Sequence, residues 1–275
     1  MKLEVEQRRG PMIMLDLHTT SVESPPFLIV PDTLASRNFV RDLPSPLILG
    51  LEEQIEGPLL SYANEFGHIC IGFEAGQHDD PQSLANHISM LWIILVKAGC
   101  ISIEAVPDFK NHLLSLKDQT RAYNKVYEVL HRKGIVEGDD FEMRPGYINF
   151  QPIRKGELLA RHHGKNVQSP SSGYIFMPLY QVLGDDGFFV ISKVAAFWIW
   201  LSFMLRKINA NRILPYLPGV NKHPNLADTF VVNKKIARFF VLQIFHLLGY
   251  RRKSESGGHL IVKQRMENQN HFDKN

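Results

Sequence analysis

Two short stretches hold the residue types that hydrolytic chemistry needs. One is Asp16-Leu17-His18-Thr19-Thr20-Ser21, the other Gly72-Phe73-Glu74-Ala75-Gly76-Gln77-His78. His18 offers an imidazole to a metal ion. Glu74 offers a carboxylate that can take a proton from water and pass it to a leaving amine. A carboxylate placed directly after apolar residues is costly to bury without a partner, and Ala75-Gly76 leaves room around it. The plainer reading of Glu74 is an ion-paired strand end; that of His18 is a structural histidine. Asp16 precedes His18 by two positions, so strand alternation puts both on one face, where a carboxylate fixes the tautomer of a ligating imidazole. Thr19 and Thr20 add hydroxyls suited to a polar substrate or to a turn. His78 belongs either to the same pocket or to a surface loop.

The elements that must position these groups read from hydrophobic patterning. Met12-Ile13-Met14-Leu15 and Ile69-Cys70-Ile71-Gly72-Phe73 are continuous apolar runs, the mark of strands buried on both faces. In open α/β sheets the ligand crevice lies beyond the carboxyl ends of such strands. Further strands are expected over residues 27–30 and 47–49. A helix is expected over 81–98, with Asp80 as N-cap, Pro81 at its first position and Gly99 beyond its end. Leu84, Ile88, Leu91, Trp92 and Leu95 fall on one face of it. A second helix is expected over 109–133. This alternation predicts an α/β domain with a mostly parallel sheet over 1–137. Turn residues then recur at short intervals, predicting a small barrel-sandwich β domain over 138–191. Residues 192–275 read as a helical extension, with helices over 198–208 and 232–248 and a disordered tail from Met266.

Composition bounds the rest. The 275 residues are 44% hydrophobic and 21% charged, enough for a large core, and the net charge of +3 gives no general argument for nucleic acid. Lys234-Lys235 and Arg251-Arg252-Lys253 read as a solvated helix face and a polar turn. The apolar stretch 188–205 is interrupted by Lys193 and reads as a strand end followed by a buried helix, so no membrane partner is expected. Cys70 and Cys100 are expected to be reduced core thiols of a cytoplasmic protein. Residues 146–160 and 169–175 have the hammerhead look of lipoyl and biotinyl carriers but lack the lysine context that a carrier needs.

Taken with Met177-Pro178-Leu179-Tyr180-Gln181 and Gly184-Asp185-Asp186-Gly187-Phe188-Phe189, the two opening stretches resemble the succinylglutamate desuccinylase/aspartoacylase family of zinc-carboxypeptidase-like hydrolases. The resemblance covers nearly the whole chain. It implies hydrolysis of a small N-acylated amino acid or similar amide, with His18 as a zinc ligand and Glu74 as the catalytic acid/base. It also implies a His-x-x-Glu pair upstream of the Asp-Leu-His strand. No histidine of this chain has a glutamate three positions later, and the 17 residues before His18 contain no histidine. The upstream Asp-Leu-Asn-Arg type substrate segment is missing as well. Asn64 stands at the offset of the family's substrate-binding arginine, and the tyrosine that aspartoacylases contribute from the β domain has no match. The expectation is therefore an α/β hydrolase domain truncated at its N-terminus. Its zinc would be completed by two ligands outside this chain, and the partners expected are an upstream polypeptide fragment or a homo-oligomer. The alternative is a non-catalytic module that binds a partner supplying the missing strands.

Overall fold

The computed structural model describes residues 12–51, 54–55, 59–136, 138–181, 184–233, 236, 241–256 and 259–265. The N-terminal reading up to residue 11, the basic pair Lys234-Lys235 and the tail from Met266 lie outside the described residues. Chain order runs β1 (Ile13–Thr20), β2 (Phe27–Val30), α1 (Leu34–Val40), β3 (Leu47–Leu49), α2 (Leu59–Asn64), β4 (Ile69–Gln77), α3 (Pro81–Lys97), α4 (Phe109–Thr120) and β5 (Val126–Gly134). Six strands follow: β6 (Phe141–Met143), β7 (Pro152–Ile153), β8 (Leu158–His162), β9 (Lys165–Gln168), β10 (Gly173–Phe176) and β11 (Asp186–Lys193). The last part holds α5 (Ala196–Lys207), β12 (Val220–Lys222), β13 (Thr229–Asn233), α6 (Val241–Leu247), β14 (Tyr250–Ser256) and β15 (His259–Gln264).

The architecture is mixed α/β, built on an eight-stranded sheet of order β1-β4-β2-β3-β5-β11-β10-β7. β1 pairs parallel with β4, and β2, β3 and β5 are parallel to one another. The expectation of a mostly parallel sheet needs correction at one junction, because β2 runs antiparallel to β4. Strands that leave the sheet at the β1/β4 end are thus opposed by strands leaving at the other end. Beyond β5 all pairings are antiparallel, through β11, β10 and β7. The strands of 138–191 divide between this sheet and a three-stranded one, β6-β8-β9.

The apolar runs of β2, β3 and β4 became strands as read, and their residues form the main core with Phe39, Met90, Ile93 and Ile94. Helix α3 starts as expected: the Asp80 carboxylate accepts from the Gln82 amide at 2.8 Å and Pro81 opens the helix. Its buried face is not the expected one. Leu84, Ile88 and Leu91 are exposed, while Ser83, Asn86, Ser89, Met90, Ile93 and Ile94 are buried. Buried polar groups need partners, and these have them: Asn86 donates to the Ala75 carbonyl at 2.8 Å and to Gln119 at 2.9 Å. The Ser89 hydroxyl bonds His112 at 2.9 Å. From residue 88 onward the helix is apolar on most sides, so periodicity could not choose between faces; the polar partners did.

Three further expectations are corrected. The helix read over 109–133 ends at Thr120, whose hydroxyl donates to the carbonyls of Leu116 and Pro44. Residues 126–134 are instead the strand β5, inserted between β3 and β11. Residues 192–275 are not all helical, because β12, β13, β15 and β14 form a four-stranded sheet around Phe230, Phe245 and Tyr250. The helix of the 188–205 stretch is not buried throughout, since Phe197, Trp198 and Trp200 are exposed, and so is Cys100, though its thiol is free like that of Cys70. Among the described residues, no helix is long and apolar enough to cross a membrane.

Candidate active site

The parallel register of β1 and β4 sets His18 beside Glu74 and Asp16 beside Gly72. Alternation along each strand puts Asp16, His18, Gly72 and Glu74 on one face. Ile71, Phe73 and Ala75 face the other way, into the main core. From β2, Phe27 lies next to Glu74 on its other side. Two exit residues that stand 56 positions apart in sequence thus meet because two apolar strands pair in register.

Glu74 is 7% exposed, and its Oε2 atom has no hydrogen-bond partner among the described residues. Burial pushes its carboxyl up to about 7; a positive charge on His18 works against that shift and the Asp16 carboxylate adds to it. Desolvation penalises the charged form and outweighs the nearby imidazole. The result is a carboxyl poised to hold or release a proton near neutrality, the property a general acid/base requires.

His18 is held by Asp16, with Nε2 to Oδ1 at 2.9 Å. The pair is the strand-face neighbour relation expected from the two-residue spacing, and it fixes the imidazole while leaving it well exposed. Thr19 bonds His78, Oγ1 to Nδ1 at 2.7 Å, which ties the exit of β1 to the loop after β4. Thr20 is different. Its hydroxyl is buried and donates to the Val22 carbonyl at 2.6 Å, so it serves the turn rather than a substrate.

Sequence reasoning missed His87. It lies on α3, its ring edge-on to Phe73 at 5.9 Å, and its Nδ1 is buried without a hydrogen-bond partner among the described residues. Burial pulls its pKa down, and positive charge on His18 adds to the effect. The available signal was an imidazole within the first half of a helix that also carries Gln82, Ser83, Asn86 and Ser89, which patterning alone assigns to no face.

A catalytic zinc takes three protein donors. At this strand exit the described residues supply the His18 imidazole, already engaged by Asp16, and a carboxyl that burial keeps protonated up to about pH 7. The set of three His, Asp or Glu donors that does converge among the described residues is Asp139, His162 and His163, on a different sheet. The strand-exit residues therefore do not by themselves make a zinc centre.

Comparison with protein-family models finds no match, and neither does comparison with curated proteins. Solved structures do match. Succinylglutamate desuccinylase from Vibrio parahaemolyticus is 15% identical with a TM-score of 0.44, over 70% of this chain and 59% of that one. The product-bound ectoine utilization protein EutE (DoeB) from Ruegeria pomeroyi is 20% identical with a TM-score of 0.46, over 66% of this chain and 58% of that one. A succinylglutamate desuccinylase/aspartoacylase from Rhodobacter sphaeroides is 15% identical with a TM-score of 0.45, over 66% and 58%. The chain spans less than two thirds of the length of each of these structures. The structural neighbours of this chain are proteins of the succinylglutamate desuccinylase/aspartoacylase family.

Proposed function

We propose that this chain carries the proton-transfer half of an amidohydrolase site acting on small N-acylated amino acids. The observation that carries the proposal is Glu74: a buried carboxyl, one oxygen unpartnered, its pKa about 7, set in register beside His18. In its charged form Glu74 takes a proton from the attacking water. In its neutral form it returns that proton to the nitrogen of the breaking amide, so the amine leaves uncharged. Asp16 keeps His18 in one orientation. In its protonated form the exposed imidazole can donate to an acyl oxygen that gains charge beside Glu74.

A zinc ion at His18 would need two more donors, from another polypeptide segment or a second copy of the chain. The experiment is hydrolysis of acetylated and succinylated amino acids, by the chain alone and with zinc, followed as amine release. Glu74→Gln should lower the rate by about 10²–10⁴, the usual contribution of a positioned acid/base. Equal rates for the wild-type chain and Glu74→Gln would remove Glu74 from the chemistry.

A further inference from the structure

We infer that Asp139, His162 and His163 form a site for a divalent transition-metal ion of the zinc class, clipping the β5–β6 connection onto the β8–β9 hairpin. The inference does not depend on the proposed function. β8 and β9 are joined by His163-Gly164 alone, with φ of 49° and 68°. Positive φ at both central residues is the type I′ turn that matches strand twist. Consecutive strand residues normally point to opposite faces. The left-handed conformation of His163 breaks that alternation, and its ring stacks on that of His162 with centroids 4.3 Å apart.

Both rings then present Nε2 to one carboxylate. His162 stands 3.0 Å from Asp139 Oδ2 and His163 stands 3.3 Å from Oδ1. Donors at zinc bond lengths of 2.0–2.1 Å lie about 3.3 Å apart in a tetrahedron, so the nitrogen-to-oxygen distances suit an ion once the stacked rings turn to aim both in-plane lone pairs at it. The carboxylate is fixed, since Oδ2 also accepts from the Val136 amide at 2.8 Å. The hairpin is tied to the same loop, the His163 amide donating to the Asp140 carbonyl at 3.2 Å. Phe141 meets the His162 ring edge-on at 5.8 Å, and Phe141 in turn lies where any side chain on Gly187 would collide.

Each imidazole takes its own oxygen of the same carboxylate, which brings two ring nitrogens beside one acid. Two imidazoles and a carboxylate suit zinc, cobalt, nickel or ferrous iron, and not calcium or magnesium, which prefer oxygen. The His163 side chain is 62% exposed, so an ion enters from solvent and keeps water on its open side. Lys165, cross-strand from His162, is the neighbouring cation and is exposed.

The test is zinc content after equilibrium dialysis of the untagged full chain, with the visible spectrum of the cobalt(II) form. One ion per chain is expected, with the intense bands of a low-coordinate cobalt site. His163→Asn is the decisive variant, because Asn is favoured in this turn and the hairpin should fold as before. It should weaken zinc binding more than tenfold, as should Asp139→Asn, while His18→Ala keeps the ion. Zinc should raise Tm in the wild-type chain and not in His163→Asn. No stoichiometric zinc in the wild-type chain, or wild-type affinity in both His163→Asn and Asp139→Asn, would overturn the site. So would loss of the ion in His18→Ala alone.

Discussion

Two buried carboxyl groups at opposite ends of one sheet were given opposite fates. Glu74 lies at the exit of β4 with one oxygen unpartnered, and burial pushes its pKa up to about 7. Asp32 lies just past β2, which runs antiparallel to β4. Burial would raise its pKa too, but three guanidiniums outweigh it and hold the carboxyl well below the ordinary carboxylate range. Arg37 pairs with Oδ1; Arg206 reaches Oδ2 at 2.9 Å and the Asp32 carbonyl at 2.8 Å; Arg265 stands 3.8 Å from Oδ2. Arg206 also donates to the carbonyls of His246 and Leu247, so this cluster fastens the C-terminal unit to the main sheet. Desolvation raises the pKa in both places. Where cations answer it, the carboxylate is a structural anchor. Where the nearby imidazole answers it only in part, the carboxyl keeps its proton up to about pH 7.

The largest effect is expected at the anchor. Asp32→Asn leaves three buried guanidiniums without their counter-ion, and breaking such a network costs about 3–5 kcal/mol. Urea unfolding at pH 7 measures it; a loss below about 1 kcal/mol would mean that the cations find other partners.

Glu74→Gln should act in the opposite direction. The folded pKa is raised, so between the ordinary value of 4.5 and about 7 the unfolded chain releases a proton that the folded one keeps. Stability attributable to Glu74 therefore falls as pH rises through that window and is level above it. The variant should be more stable than wild type by on the order of 3 kcal/mol at pH 8 and equal to it at pH 4. Asp32 has the reverse sign. Its stabilisation is complete above its ordinary value and is lost only as pH falls below it, so it adds no slope between pH 4.5 and 7. Unfolding free energies at four pH values separate the two.

Smaller changes sharpen the Glu74 half. His18→Ala should raise the Glu74 midpoint, since the imidazolium that opposes the shift is gone, and Asp16→Asn should lower it. Movement of both variants in the same direction would contradict the charge assignment. The smallest effect is at a solvent-facing cap that belongs to neither cluster. Asp80→Ala should cost about 1 kcal/mol at pH 7, the usual price of an N-cap, and leave the Glu74 midpoint unchanged.

The Glu74 half was more legible in sequence than the Asp32 half, for a physical reason. Apolar runs that end abruptly in His18 and Glu74 are local signals, and parallel pairing of two such runs joins them without help from the rest of the chain. The spacing of Asp16 and His18 likewise foretold their contact. The anchor joins residues 32, 37, 206 and 265, whose meeting depends on how the C-terminal sheet seats on the main one. Nothing local marks that, and the strands β12 to β15 fall in a region read as a helical extension, with Arg251-Arg252-Lys253 of β14 read as a polar turn. The buried face of α3 failed for a related reason: Asn86 and Ser89 look like surface residues until Ala75, Gln119 and His112 arrive to bond them. Residues 126–134 were read as helix because their neighbours β3 and β11, which make them a strand, lie far away in sequence.

The most direct test is the ionisation of Glu74 itself. Carboxyl resonances of the chain labelled with ¹³C-glutamate, followed from pH 4 to 9 with Glu74→Gln to assign the signal, report its midpoint. A midpoint near 7, shifted upward in His18→Ala, is the predicted result. A Glu74 resonance that titrates with the other glutamates near 4.5 would show a solvated or paired carboxylate, and the proton-transfer role would fall with it.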